Sequence, residues 1–211
     1  MKKPQTVPKL VELGRVQLSK SFFMRDFLYS EAAALHGLAN VPDDPDLAIT
    51  TGTRLCENLL EPLQDAFGRL SIRAGYRSAE VNALAHAKNY GAASNERAGA
   101  GAIWDARDFA GNIGATAQVL VPTFNAANVG EEDWKRLAWW IHDHLPYSTV
   151  EMLPGGAFNL QWHEKPLRMV YSHVAPSRGY LTKPGMDGHD DSHAAEYQDI
   201  LPRQGEVAAA G

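Results

Sequence analysis

The chain has a single cysteine, Cys56, so no disulfide can close within it and every all-cysteine metal site is excluded. That thiol lies in the apolar stretch Leu55-Cys56-Glu57-Asn58-Leu59-Leu60 with no cation beside it in sequence. It reads as a buried, inert side chain rather than a nucleophile. Long hydrophobic runs are missing too, and nothing approaches the roughly 20 apolar residues of a membrane span. Behind Lys2 and Lys3, the residues Pro8, Glu12 and Arg15 interrupt any signal-peptide core. The expectation is a protein made without a secretion signal, either cytoplasmic or carried to an outside target by other means. No block of like charge and no internal repeat occurs. The formal net charge of −5 disfavours a nucleic-acid binder, which needs a basic surface.

What is present suits one globular domain. At 211 residues, with 45% hydrophobic and 21% charged residues, the chain can bury a sizeable core. Residues 1–18 read as an extended lead-in, and Ser19 as the cap of a short helix running through Ala32–Leu35. The turn-rich Pro42-Asp43-Asp44-Pro45-Asp46 follows, with Asp46 as the next cap. From there to Phe67, apolar residues at positions 55, 59, 60, 63, 66 and 67 keep the spacing of one helical face. Pro62 predicts a kink or restart within that helix, and Gly68 its C-cap.

Alternation over Leu70–Ala74 predicts a half-buried strand, and Ser78 caps a helix through Ala83–Ala85. A glycine- and alanine-rich loop spans Gly91–Gly101, and a strand over Gln118–Val121 stops at Pro122. A helix is expected over Glu131–His144, with acidic residues in its first turn. Strands at Ser148–Leu153, Ala157–Trp162 and Arg168–Val174, the first two joined through Pro154-Gly155-Gly156, predict a β-meander. Residues 176–211 read as an irregular tail that frays over Val207–Gly211. Helices first and strands later imply an α+β fold, an antiparallel sheet packed against helices.

One block has a recognisable pattern. Asn58-Leu59-Leu60-Glu61-Pro62-Leu63, followed by Ile72-Arg73-Ala74-Gly75-Tyr76-Arg77-Ser78 and Asn82, resembles the core of the M15 metallopeptidases. That family includes zinc D-Ala-D-Ala carboxypeptidases and phage L-alanyl-D-glutamate endolysins, and shares its fold with the hedgehog signalling domain. The resemblance spans residues 19–175. It implies a hedgehog/DD-peptidase-like fold, a peptidoglycan stem peptide as partner, and a Zn2+ held by His, Asp and His. The metal would activate a water, a carboxylate would take its proton, and an arginine would hold negative charge on the substrate.

Carried over residue by residue, the resemblance makes Arg77 the substrate-binding arginine, Asp105 the aspartate ligand and His173 the last histidine ligand. Each has a plainer alternative: a structural arginine at a strand-to-helix turn, a capping aspartate, and a strand histidine satisfied by a carbonyl. The sequence departs from the family at two positions. No histidine lies between His86 and His142, and alignment on Ser94-Asn95-Glu96 places Glu96 in the first histidine's slot. Val170 stands where the family has its acid, which leaves Glu151 or the His163-Glu164 pair as the base to be recruited.

Other histidines read more plainly. His142 and His144 suit the C-terminal end of a helix dipole, and His189-Asp190-Asp191-Ser192-His193 suits a solvated polar loop. His86 reaches a site only if the alanine-rich loop folds back. Trp104, Trp139, Trp140 and Trp162 read as core, or as lining of a cleft. Three functions follow: a zinc peptidase acting on cell-wall stem peptides, a non-catalytic binding or virion-associated structural module on the same frame, or another metal enzyme using Asp105, His163 and His173.

Overall fold

A computed structural model describes residues 1–127, 130 and 132–200. The first element is α1 (Val7–Gly14), where a lead-in without regular structure was expected. Pro8 occupies its first turn, where a missing N–H costs nothing, and Leu13 anchors it in the core. Ser19 caps no helix; its hydroxyl and the Ser21 amide both bind the Glu61 carboxylate. A 3-10 turn at Met24–Phe27 and α2 (Glu31–His36) take the place of the expected helix, and Ser30 is the cap.

The long helix is present in three pieces. These are α3 (Pro45–Leu55), a π turn at Cys56–Leu60, and α4 (Glu61–Phe67) with Pro62 in its first turn. The break predicted at Pro62 thus appears as a wider turn just before it, because proline offers no amide to continue the α pattern. Asp44, not Asp46, caps α3 by accepting from the Leu47 amide. Gly68 ends α4 at φ 82°, with its amide on the Gln64 carbonyl.

After β1 (Ser71–Ala74) come α5 (Ala79–Ala87), capped by the Ser78 hydroxyl, and a single turn α6 (Asn95–Ala98) within the expected loop. Then follow β2 (Gly114–Leu120), α7 (Pro122–Ala127), α8 (Trp134–His144), β3 (Thr149–Met152), β4 (Ala157–His163), β5 (Met169–Ser172), β6 (Gly179–Thr182) and α9 (Ala194–Tyr197). Glu131 and residues 207–211 lie outside the described residues.

The six strands form one sheet in the order β1-β2-β4-β3-β5-β6, antiparallel except where β5 runs parallel to β3. The fold is α+β. The expected meander is corrected in two ways: β5 crosses over β4 to pair with β3, and the presumed tail supplies an edge strand, β6. Alternation sorts the two faces. Ala115, Ala117 and Val119 of β2, Phe158 and Leu160 of β4, Val150 of β3 and Val170 of β5 are fully buried. The α3–π-turn segment packs against β2 and β4, and α8 against β3. Cys56 lies in this core, and burial pushes its thiol pKa up.

The other face is polar and half-buried. Gln118 donates to Asn159, which in turn donates to Glu151, while Thr149 donates to Gln161.

Candidate functional site

Among the described residues, Glu96, Asp105 and His173 are not gathered into one group of metal ligands. Glu151 lies on the polar sheet face in register with Tyr171, and one carboxylate oxygen accepts from Asn159 Nδ2 at 2.9 Å. His173, just past β5, is exposed and sits edge-on to Tyr171, with ring centroids 4.9 Å apart. Glu151 and His173 therefore share a face. Glu96 is on the exposed α6, its carboxyl held below the usual range first by a hydrogen bond from Ser94.

Asp105 is committed to the backbone. Its Oδ2 accepts the Asp43 amide at 2.7 Å and the Asp44 amide at 3.1 Å, tying the loop that starts α3 to the approach to β2. The neighbouring Tyr76 hydroxyl is raised in pKa by burial and then by the charge and hydrogen bonding of the Asp105 carboxylate. Zinc at Asp105 needs two or three more donors, and among the described residues Asp105, Glu96 and His173 form no three-ligand group. As placed, these three side chains are not gathered around one ion, and Asp105 is engaged by two main-chain amides.

His163 is likewise spent, on the Asp108 carboxylate at 3.2 Å and on the backbone of Lys165. His86 folds onto the Ala92 carbonyl of its own loop.

Arg77 is different. The Gly-Tyr-Arg-Ser segment is pinned by its neighbours, and three of its four residues have evident structural tasks. A Cβ on Gly75 would stand 2.8 Å from Phe27, Tyr76 is buried against Trp104, and Ser78 caps α5. Asn40 donates to the Tyr76 carbonyl and accepts from the Ser78 amide, and the Arg77 amide donates to the Ala102 carbonyl. The Arg77 guanidinium, by contrast, makes no hydrogen bond or close ion pair among the described residues. It lines a pocket of about 220 Å³ with Ser30, Glu31, Ala32, Leu35, Ala85 and Tyr90. Burial lowers its pKa, and the Glu31 charge acts against that shift. A planar, partly desolvated guanidinium has the donor geometry for a two-point bond to a carboxylate or phosphate, and Glu31 is the carboxylate whose charge already reaches it.

A second group was not expected as a site. His142, Asp143 and His193 offer one ligand atom each, all within 4.8 Å of one another, and this group could hold a metal ion. The polar run at 189–193 is not a free loop: its chain folds back over the end of α8. Asp143 Oδ1 takes His193 Nδ1 at 2.9 Å, while Oδ2 takes the His193 amide at 2.7 Å and the Tyr197 hydroxyl at 2.9 Å. Burial alone would raise the Asp143 pKa, but the bonds from His193 and Tyr197 outweigh it and hold the carboxyl below its ordinary value. The Tyr197 hydroxyl, buried against that charge, is pushed up to about 12.

His142 is buried, and desolvation lowers its pKa, so the ring is neutral. Its Nε2 donates to the His189 carbonyl at 2.7 Å, which leaves Nδ1 to accept from the Tyr147 hydroxyl at 2.6 Å. The His193 ring stacks flat on Trp139, centroids 3.7 Å apart and planes 6° from parallel. The sequence signal for this group was two ligand-rich clusters, His142-Asp143-His144 and His189–His193. Nothing in the local pattern says that they meet.

No described helix is long and apolar enough to cross a membrane. No protein-family model, curated protein or solved structure matches the chain.

Proposed function

We propose that the chain is a non-catalytic module of the M15, hedgehog/DD-peptidase-like kind that binds a carboxylate-terminated peptide, such as a peptidoglycan stem, at Arg77. The observation that carries this reading is the half-buried guanidinium, without a hydrogen bond among the described residues, on the wall of a small pocket whose other residues include Ala32, Leu35 and Ala85. The carboxylate sits against Arg77 in the manner of a charge-assisted, two-point contact, and alanine-sized side chains rest against the apolar wall. Glu31 and Tyr90 at the rim supply an acceptor and an aromatic surface for the remaining peptide polar groups.

Hydrolysis is no part of this reading. Water activation needs a metal and a base in one place, whereas Asp105 is held by backbone amides and Glu151 by Asn159. Any zinc the chain takes is held away from the Arg77 pocket, by other residues. Delivery to the wall as a virion component agrees with the resemblance to phage endolysins.

The test is calorimetric titration with a stem pentapeptide ending in D-Ala-D-Ala, its C-terminal amide, and the Arg77→Gln variant, with mass spectrometry of the peptide afterwards. The reading expects binding that weakens at least about tenfold with the amide and with the variant, the loss of one charge-assisted bond, and an intact peptide. Absence of binding, or affinity indifferent to both changes, removes it. Cleavage of the peptide restores the peptidase reading in its place.

A further inference from the structure

We infer that His142, Asp143 and His193 are a binding site for a divalent first-row transition ion of the Zn2+ class, which staples the segment after β6 to the end of α8. The inference is independent of the peptide reading, since none of these residues lines the Arg77 pocket.

The donor set comes first. Two imidazoles and a carboxylate are the ligands of borderline ions such as Zn2+ and Co2+, and not of Ca2+ or Mg2+, which take oxygen.

The surrounding contacts resemble those that orient metal ligands. His142 Nε2 donates to the His189 carbonyl, the usual way in which a ligating imidazole is fixed through its other nitrogen. Asp143 is steadied by Tyr197, and the His193 ring is clamped flat against Trp139.

Geometry sets the cost. Donors around a tetrahedral zinc stand roughly 3.3 Å apart, so a group spread over as much as 4.8 Å must contract by about 1.5 Å. Bond for bond, His142 Nδ1 would exchange the Tyr147 hydroxyl for the ion, and the Asp143–His193 hydrogen bond would give way to two metal bonds, with the proton on His193 Nδ1 passing to Nε2 or to water. The His193 side chain is joined to α8 through Asp143, the Trp139 stack and the edge of the His142 ring. A cavity of about 480 Å³ borders the group, and Asp190, Asp191 and Tyr197 line it together with His142 and Asp143. This leaves room for a fourth ligand, either a water or one of those carboxylates.

The consequence is mechanical. His142 and Asp143 belong to α8, whereas His193 lies 50 residues further on, after the last strand. An ion shared by them closes a long loop and orders residues 183–200.

The test uses the full chain stripped with a chelator and titrated with Zn2+, and separately with Co2+ as the spectroscopic probe. The expected result is about one ion per chain, with Co2+ d–d absorption in the visible. Hydrogen exchange over residues 183–200 slows when Zn2+ is added. His193→Ala should weaken Zn2+ binding by more than about 100-fold while circular dichroism stays native. Asp143→Asn, which keeps the side chain's shape, gives the same loss without depending on how His193→Ala folds. Asp105→Asn should bind as wild type does. Zn2+ that fails to bind at one per chain overturns the inference, as does binding unchanged in both site variants, or binding lost only in Asp105→Asn.

Discussion

Asp105 and Asp143 are the same residue in similar partial burial, and their neighbours give them opposite uses. At Asp105 one oxygen is taken by two main-chain amides of the loop before α3, and those donors cannot be moved without moving the helix. At Asp143 the partners are an imidazole, a phenol and one amide of a segment that arrives from 50 residues away. Backbone amides offer a carboxylate only hydrogen bonds. Side-chain imidazoles can exchange a hydrogen bond for a metal bond. The resemblance directed attention to the first aspartate because sequence position is what a motif records, whereas it is around the second that other ligand-type side chains gather.

The largest effect that separates the two is on stability. Asp105→Ala strands two amides and removes an ionised acceptor, so it should destabilise the chain by about 3 kcal/mol in urea unfolding while leaving metal content unchanged. A metal content that falls with Asp105 breaks the comparison. Asp143→Ala should cost about 2 kcal/mol, for lost contacts to His193 and Tyr197, and should speed hydrogen exchange in α9 before the sheet opens. Equal protection throughout the molecule would place both aspartates in one cooperative unit.

A smaller effect probes the core around Cys56. Burial raises the Cys56 thiol above its ordinary value of 9.0, so the native state keeps a proton that the unfolded state gives up. Stability is therefore full below pH 9 and falls as pH rises beyond it, by about 1.4 kcal/mol per pH unit at most. Unfolding measured from pH 8.5 to 10 should show this slope in the wild type and a shallower one in Cys56→Ala. The native thiol should also resist a disulfide reagent. The smallest effect belongs to Glu151→Gln, which keeps a partner for Asn159 on the half-buried sheet face and should shift stability by less than about 0.5 kcal/mol.

Legibility followed the range of the interactions. The helix over 45–67 was readable because its stripe repeats every three or four residues. Pro62 and Gly68 also act within one turn of themselves. Ser78 was readable for the same reason, since a cap needs only the amide three residues on. The cap at Ser30 was misplaced to Ser19 because both are serines ahead of a helix, and only packing showed that Ser19 belongs to Glu61. Alternation revealed β3, β4 and β5 but not their order: a strand's pattern records which side is buried and is silent on which neighbour it pairs with. Arg77 was legible as a candidate from its motif. That its guanidinium makes no hydrogen bond among the described residues and lines a pocket was not.

By itself the sequence determined the fold class, the apolar faces, the break at Pro62, the ends set by Ser78 and Gly68, and the absence of an intrachain disulfide, and most of these depend on neighbours within a few residues. The tertiary structure alone decided that Asp105 is a clasp for two amides, that β6 and the following segment belong to the body of the molecule, and that His193 stands beside Asp143. Those outcomes depend on which distant surfaces bury one another. The energy for that comes from the whole core, so no local pattern of ligand-type residues can announce it.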